Sequence, residues 1–336
     1  MIPTKEQIEE IACLEQRSHD WFRARLGCVT GSCAYSVTKQ SEAEKAYRKA
    51  IAIGPIDIES KTEFNARIKN IKDPDLREKE KAAGPLKETK EVFNARIAAL
   101  RIKMEEAPFP DTTVSYLYQL ASERNLRDVF VQDEQFFDQY LMRTTFSSNA
   151  IRWGEETEAM ARLQYSRKTG NEVVEVGFHR HSKVDWFGDS PDGLVVNEDG
   201  KPIGSVEIKC PKSETWIKYR HEFRKAERLY NKFVEQYMTM HPEVVSEAFS
   251  DDMLPYEQRL DSLNAETLKR IKPEYYWQCQ SHCECNDVEW CDFIFYDQMQ
   301  KGEIVIIRIY RNQEDIDLLL SRIELANDFI ENDILA

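Results

Sequence analysis

The chain has 336 residues, of which 41% are hydrophobic and 11% aromatic, enough for one large globular domain or two smaller ones. Its charged N-terminus, MIPTKEQIEE, lacks the apolar core of a secretory signal, and no apolar run approaches the roughly 20 residues of a membrane span. We therefore expect a cytoplasmic protein with no membrane partner. The net charge of −14 excludes nucleic-acid binding through the overall field, so a DNA partner would need a local basic surface or metal ions.

A charged, helix-prone segment over 41–129 contains an internal repeat. GPIDIESKTEFNARI starts at Gly54 and GPLKETKEVFNARI at Gly84, and each copy runs from a Gly-Pro turn to the same FNARI sequence. We expect a duplicated helical unit, too short for a solenoid. Over 61–103, Lys and Arg outnumber Asp and Glu by 12 to 7. This balance fits either a solvated insertion or an arm that contacts a phosphate backbone or a partner protein.

The remaining chain has a mixed α and β pattern. Ile8, Ile11 and Ala12 at helical spacing predict an amphipathic helix at the start. Further helices are predicted at 153–168, 216–240, 275–283 and 315–330, and strands at 173–178, 185–187, 194–196, 205–208, 292–296 and 304–310. An irregular acidic connector is expected over 243–271. The pattern predicts an α/β fold in which helices flank a central sheet.

The helix predicted over 216–240 carries an apolar stripe, beginning at Trp216 and Tyr219, that we assign to the core. Between the stripe residues lie six basic side chains: Lys218, Arg220, Arg224, Lys225, Arg228 and Lys232. They form either a solvated face or a surface that follows a phosphate backbone.

A turn aspartate and an acid–lysine pair form the clearest chemical pattern. Asp192 lies in the turn SPDG, and Glu207 and Lys209 lie two apart on a predicted strand, where alternation places both on one face. A hairpin between them can bring Asp192 to the same end. Two carboxylates and the Ile208 carbonyl would then form an oxygen site for Mg²⁺ or Mn²⁺, beside a lysine that can orient water. By itself the spacing also fits a surface hairpin.

Four of the eight cysteines cluster at Cys279, Cys283, Cys285 and Cys291, close to His282. Their spacings match neither paired zinc arms nor a familiar iron–sulfur run. We expect free thiols, and a metal cluster is the alternative.

Five motifs occur in the order of a known family. They are HDWFRARLGCVTGS at 19–32, Trp153-Gly154 with Glu158, SPDG with EIKCP at 190–193 and 207–211, YYWQCQ at 275–280, and WCDFIFYD at 290–297. Together they resemble the lambda-exonuclease/YqaJ-type viral recombinases of the PD-(D/E)xK nuclease superfamily. The resemblance covers roughly 1–35 and 150–310. It implies a restriction-endonuclease-like core formed by 1–40 and 130–336, with 41–129 as a helical insertion.

The resemblance implies a role for each matching residue of the metal core. Asp192 and Glu207 would bind the catalytic metal together with the Ile208 carbonyl, and Lys209 would activate or position the water. Glu158 would line the site through a second metal or bound waters.

Further matching positions would contact the substrate end of the site. Gln278, like Glu158, would line the site through a second metal or bound waters. Arg25, Ser32 and Ser190 would hold the 5′-phosphate of a DNA end, for which a guanidinium and two hydroxyls are suitable partners.

By resemblance the protein is a Mg²⁺-dependent exodeoxyribonuclease that digests duplex DNA ends 5′ to 3′ and leaves 3′ overhangs for recombination. A homo-oligomer and a single-strand annealing protein are the implied protein partners, in the host cytoplasm if the chain is phage-encoded. The alternatives are a structure-specific or restriction-like endonuclease, an iron–sulfur nuclease, and a non-catalytic binding module.

Two features depart from the family pattern. Thr215 stands where some members have a basic phosphate contact, so Lys212 or Lys218 would have to replace it. The insertion and the 243–271 connector are absent from the short family core, which leaves open whether DNA is threaded through a ring-shaped trimer.

Overall fold

The computed structural model describes residues 14–144, 149–244 and 249–336. The helix expected from Ile8, Ile11 and Ala12 lies outside these residues, as does Cys13. No helix in the described part of the chain is long and apolar enough to span a bilayer.

The chain divides into two compact units. One combines Met1–Thr38 with Ser115–Ala336, and the other is Lys39–Val114. The assignment of 1–40 and 130–336 to a nuclease core, and of 41–129 to an insertion, stays a prediction.

The described residues form helices joined by short turns and strands. In chain order the helices are α1 (His19–Arg25), α2 (Ala34–Thr38), α3 (Glu42–Ile53), α4 (Lys61–Asn70), α5 (Pro74–Ala83), α6 (Lys90–Glu106), α7 (Asp111–Gln132), α8 (Glu134–Thr144), α9 (Asn149–Thr169), α10 (Ser213–Met240), α11 (Leu260–Ile271), α12 (Pro273–Cys285) and α13 (Gln313–Phe329). The strands are β1 (Val29–Thr30), β2 (Glu172–Val174), β3 (His179–Arg180), β4 (Phe187–Asp189), β5 (Gly193–Val196), β6 (Pro202–Lys209), β7 (Trp290–Tyr296) and β8 (Ile304–Tyr310).

The expectation of an irregular connector over 243–271 is wrong in its second half. Helix α11 occupies Leu260–Ile271, and it packs against α10 and α12. Its buried face is mostly polar, with Ser262, Asn264 and Thr267 beside a fully buried Leu268. A search for apolar periodicity misses such a helix because few of its buried residues are hydrophobic.

The main sheet has five strands in the order β2-β5-β6-β7-β8. Strands β6 and β7 are parallel neighbours, whereas the other pairs are antiparallel. Helix α9 packs Ala161 and Tyr165 on the face that carries Val206 and Ile208, and α12 packs on the opposite face. A parallel strand pair needs a long crossover connection, which usually contains helices that cover the sheet. The expected α/β class, with a central mixed sheet between helices, is confirmed.

A buried acid connects three elements of this core. Asp292 on β7 is 1% exposed and accepts a 2.7 Å hydrogen bond from the Tyr165 hydroxyl. The Arg308 guanidinium donates to both of its oxygens, at 2.8 and 2.9 Å, and lies over the Trp290 ring. A buried carboxylate is tolerated only with such partners, so Asp292 ties α9, β7 and β8 to one register.

A second sheet of three short strands has the order β1-β4-β3. Strand β4 pairs with β1 in parallel and with β3 in antiparallel orientation, and it ends at Asp189. The turn SPDG follows β4 directly and connects it to β5.

The repeated segment forms two halves that bind each other reciprocally. The Ile58 amide donates to the Leu86 carbonyl at 2.9 Å, and the Glu88 amide donates to the Ile56 carbonyl at 2.8 Å. Residues in equivalent positions of the two copies therefore exchange hydrogen bonds. Asp57 and Lys87 form the antiparallel bridge between them.

The arginine of each FNARI sequence fastens this pairing. Arg67 donates to both oxygens of Glu59 and to the Gly84 carbonyl of the other copy. Arg96 donates to both oxygens of Glu88 and to the Gly54 carbonyl at 3.2 Å. Each copy therefore contains an arginine that binds the glutamate of its own copy through two hydrogen bonds and a glycine carbonyl of the other copy through a third. Because the contacts are reciprocal, the two copies stabilise each other.

We predict that Arg96→Ala loosens this unit locally. The substitution removes the fork on Glu88 and the bond to the Gly54 carbonyl, so amide hydrogen exchange should quicken in peptides that cover 54–60 and 84–90. Arg101→Ala is the matched control, because Arg101 pairs with exposed Glu105 of its own helix. Equal exchange in the two variants would show that the arginine clamp does not hold the halves together.

Candidate active site

Strand β6 ends in the acid–lysine pair that the sequence singles out. The Nζ atom of Lys209 contacts Glu207 Oε1 and lies 5.1 Å from the centre of the Tyr275 ring. Glu207 is fully buried. Burial alone would raise the pKa of Glu207, but Lys209 and His282 outweigh it and hold the pKa below its usual range. Burial would likewise lower the pKa of Lys209, yet the Glu207 and Asp192 carboxylates hold it above its ordinary value.

The structure brings the turn aspartate to the same end of the strand. The Ile208 amide donates to Asp192 Oδ2 at 2.6 Å, and the Asp192 amide donates to the Val206 carbonyl at 3.1 Å. Gln16 fastens the turn from outside, since its side-chain amide donates to the Pro191 carbonyl at 2.8 Å. Burial and the neighbouring Glu207 carboxylate raise the pKa of Asp192 to about 8.

Two residues that the sequence did not place at the site are joined to Glu207. The Nε2 atom of His282 lies 2.6 Å from Glu207 Oε2, and its Nδ1 atom contacts Asp189 Oδ2. His282 and Glu207 are fully buried, and Asp189 is 1% exposed. His282 drew attention only as a neighbour of the cysteines. Its position four residues after Gln278, on the same helical face, is the one sequence signal that could have pointed to the site.

Gly31 allows the close approach of the β1 turn to this cluster. A Cβ atom at residue 31 would overlap Asp189 Oδ1, and it would lie 2.9 Å from Asp189 Cγ and 3.3 Å from Ser281 Cβ. A side chain at this position would therefore displace the buried Asp189 carboxylate.

A cleft of about 150 Å³ opens beside Asp192. Five of the sequence-predicted site residues line it: Arg25, Ser32, Ser190, Asp192 and Gln278. Glu207, Ile208 and Lys209 adjoin it through the hydrogen bond from Ile208 to Asp192. The cleft thus brings the residues expected at a phosphate next to Asp192, one of the residues expected at a metal.

The phosphate candidates lie on the N-terminal side of this cleft. The Arg25 guanidinium stacks 3.8 Å from the centre of the Trp21 ring, and burial lowers the pKa of Arg25. The Trp21 indole donates to the Ser190 hydroxyl at 2.9 Å, and Ser32 lies 3.2 Å from the Thr30 hydroxyl. Trp21 therefore holds both the guanidinium and one of the two hydroxyls.

The two glutamines of the helix α12 motif have different surroundings. Gln278 lines the cleft, whereas Gln280 is fully buried and bonds to backbone. The Gln280 side chain donates to the Tyr310 carbonyl at 3.0 Å and accepts from the Asn312 amide at 2.8 Å. Gln280 therefore fixes α12 to the end of β8.

Glu158 is held by two arginines and does not line the cleft. Its Oε2 atom lies 3.2 Å from Arg17 and its Oε1 atom 2.8 Å from Arg162. Glu158 nevertheless contributes to the raised pKa of Asp192, after burial and Glu207.

The residues expected to replace the missing basic contact lie away from this cleft. Lys212 precedes α10 and lines a separate cavity of about 440 Å³ with Trp153 and Met299. Lys218 is exposed on α10. Neither lysine is among the residues that surround Asp192.

The cysteine cluster consists of thiols in the described part of the chain. Cys279, Cys283 and Cys291 are buried and Cys285 is partly buried, and all four are free. Burial raises the pKa of Cys279 and Cys283 well above the ordinary thiol value. Among the described residues, no three His, Cys, Asp or Glu side chains converge as the ligands of one ion. The geometry favours thiols that fill the core around α12.

The fold and the cleft define a class of protein: an α/β core whose central strand ends in an acid–lysine pair facing a turn aspartate. Residues 110–241 match the family model of the YqaJ-like viral recombinase domain. This part of the chain is therefore similar to that domain, and the resemblance recognised from the motifs is confirmed. The matched range includes the turn aspartate and the acid–lysine pair, whereas Arg25, Ser32 and Gln278 lie outside it.

Solved exonuclease structures are similar to this chain at low identity. An alkaline exonuclease from Laribacter hongkongensis is 21% identical, with 94% of each chain covered and a TM-score of 0.47, and its complex with dAMP gives 20%, 94% of each chain and 0.48. A phage-related exonuclease from Haemophilus somnus 129PT is 14% identical over 67% of this chain and 83% of its own, with a TM-score of 0.39. No curated protein matches the chain.

We predict that Gly31→Ala destabilises the protein by roughly 1–3 kcal/mol, as overpacking of a filled core does. The new methyl group would push Asp189 away from His282. Gly154→Ala is the control, because no heavy atom of the described residues lies within 4 Å of a Cβ at that helical position and alanine favours a helix. Chemical denaturation measures both variants. A Gly31→Ala protein as stable as the parent would contradict the tight approach.

Proposed function

We propose that the protein is a divalent-metal-dependent deoxyribonuclease that digests one strand of duplex DNA from a 5′ end and leaves a 3′ overhang for recombination. The observation that carries this proposal is the meeting of Asp192, Glu207 and Lys209 at the end of β6. Two carboxylates and an ammonium around one point are suited to phosphodiester hydrolysis with a hard cation. The YqaJ-like viral recombinase domain supports the setting in DNA recombination.

The donor set suits Mg²⁺ or Mn²⁺. Asp192 and Glu207 offer carboxylate oxygens and Ile208 a backbone carbonyl, and all three are hard ligands. Two carboxylates that share a buried site repel each other, which is one cause of the raised pKa of Asp192. A cation between them would remove this repulsion. When bound, a divalent ion lowers the pKa of a water and polarises a phosphoryl oxygen.

The chain's own residues would then position the reactants. Lys209, held by Glu207 and by the Tyr275 ring, would orient the attacking water and stabilise the negative charge that develops on the phosphate. Gln278 would orient water or substrate from the wall of the cleft, and Glu158 would act from further away through bound water or a second ion.

Arg25, Ser32 and Ser190 would bind the terminal 5′-phosphate. A guanidinium and hydroxyls are strong partners for a dianionic phosphate, more so in a partly buried cleft. Their place in the same cleft as Asp192 would bring the terminal phosphate close to the reacting phosphate, which supports exonuclease over endonuclease action.

Helix α10 offers a surface for the DNA backbone. Trp216, Tyr219 and Phe223 face the core, and the basic side chains lie between these buried positions. Such a face gives a protein of net charge −14 the local positive surface that phosphate binding needs. The homo-oligomer and the single-strand annealing protein stay predictions of the resemblance.

We predict that Asp192→Asn and Lys209→Gln each slow digestion of linear duplex DNA in Mg²⁺ by roughly 100-fold or more, because each removes a group that acts on the reacting phosphate. Duplexes labelled at the 5′ or the 3′ end report both rate and polarity. Asp199→Asn, in an exposed hairpin turn, is the matched control. Full activity of both site variants would refute the assignment.

Covalently closed circular duplex discriminates between the candidate nucleases. An exonuclease leaves it intact, whereas an endonuclease with the same catalytic core cuts it. Absence of any metal-dependent cleavage by the parent protein would favour the non-catalytic binding module.

We predict that Arg25→Gln removes the preference for 5′-phosphorylated ends. A charge-assisted hydrogen bond contributes about 1.5–3 kcal/mol, so the rate ratio between 5′-phosphate and 5′-hydroxyl duplexes should fall roughly tenfold or more. Arg23→Gln on the same helix is the control, since Arg23 pairs with Asp20 and does not line the cleft. An unchanged ratio in Arg25→Gln would place the phosphate contact elsewhere.

A further inference from the structure

Asp189, His282 and Glu207 form a buried chain of contacts that ends at a proposed metal ligand, Glu207. Each nitrogen of the His282 ring faces one carboxylate, Glu207 at 2.6 Å and Asp189 on the other side. Because an ionised carboxylate oxygen only accepts hydrogen bonds, each ring nitrogen donates in this arrangement. All three side chains are almost completely shielded from water, so no solvent competes for these bonds.

We propose that His282 is a positioning residue, which holds Glu207 so that one of its oxygens faces the divalent cation. This inference rests on the function proposed above. His282 engages Oε2 of Glu207, while Oε1 is turned toward Lys209. The histidine thereby fixes Oε2, so that Oε1, on the side of Lys209, is the oxygen that would face the cation.

Asp189 fixes the orientation of the ring. Strand β4 holds Asp189 between β1 and β3, and Gly31 packs against its carboxylate so closely that a methyl group would not fit. The ring can therefore neither rotate nor withdraw without breaking a buried hydrogen bond. Rigid support of this kind is what a ligating carboxylate needs, and loss of such support typically costs about 10–100-fold in metal affinity.

The two ring nitrogens can be tested separately. The side-chain amide of glutamine can replace Nε2 and keep a donor toward Glu207, whereas the shorter asparagine can replace Nδ1 and reach only Asp189. His282→Asn should therefore lose the support of Glu207, and His282→Gln should retain most of it. A residue that merely fills the core would not distinguish the two amides in this direction.

The experiment measures Mn²⁺ affinity of the full chain without DNA, by calorimetry, together with the melting temperature in the absence of metal. We expect His282→Asn to weaken Mn²⁺ binding by about 10–100-fold and His282→Gln to stay within roughly threefold of the parent. His181→Asn is the control, because His181 pairs with Glu284 in a neighbouring cleft and does not contact Glu207.

Parental Mn²⁺ affinity in a folded His282→Asn protein would overturn the inference, as would equal losses in His282→Asn and His282→Gln. If His282→Asn fails to fold, His282→Gln decides by itself, and a folded His282→Gln protein that binds Mn²⁺ tenfold or more weakly than the parent would overturn the inference. A parent chain that binds no Mn²⁺ would refute the proposed function as well. A parent that binds Mn²⁺ while the variants are unaffected would refute only the role of His282.

Discussion

The site depends on one constraint: Glu207 is a fully buried carboxylate at the end of a central strand. An isolated charge there would cost more than the fold can supply, so Glu207 needs partners on each of its oxygens. Lys209 supplies one from the same strand, and His282 supplies the other from α12. Asp192 lies close to this cluster, and burial together with the Glu207 carboxylate raises the pKa of Asp192.

The rest of the core keeps these elements in register. Strands β6 and β7 run parallel, and α12 connects to both through the Glu207–His282 contact and the packing of its buried face. Gln280 fastens the same helix to the end of β8. Hydrogen bonds of Gln280 and His282 hold α12 in place. The same helix therefore positions His282 and Gln278 at the site. A loop would place them less accurately.

The repeated unit illustrates a different use of charged residues. Its two copies exchange backbone hydrogen bonds, and the FNARI arginines clamp the acid of their own copy and a glycine carbonyl of the other. Much of its positive charge still lies on surface lysines, so a contact with phosphate or a partner protein stays compatible with this architecture. The hydrogen bonds within the unit account for Arg67 and Arg96 without a bound ligand.

The sequence by itself determined what depends on local periodicity and spacing. Alternation on β6 placed Glu207 and Lys209 on one face, the SPDG turn marked Asp192, and the ordered motifs predicted the resemblance to the YqaJ-like viral recombinase domain. The contacts of His282 could not be derived in that way, because Asp189 and Glu207 lie 93 and 75 residues away along the chain. The polar helix α11 was missed because its burial follows from its neighbours. The need for glycine at Gly31 likewise arises only where β1 meets Asp189. Local patterns depend on residues that are close in the sequence, whereas contacts between distant segments form only when the whole core packs.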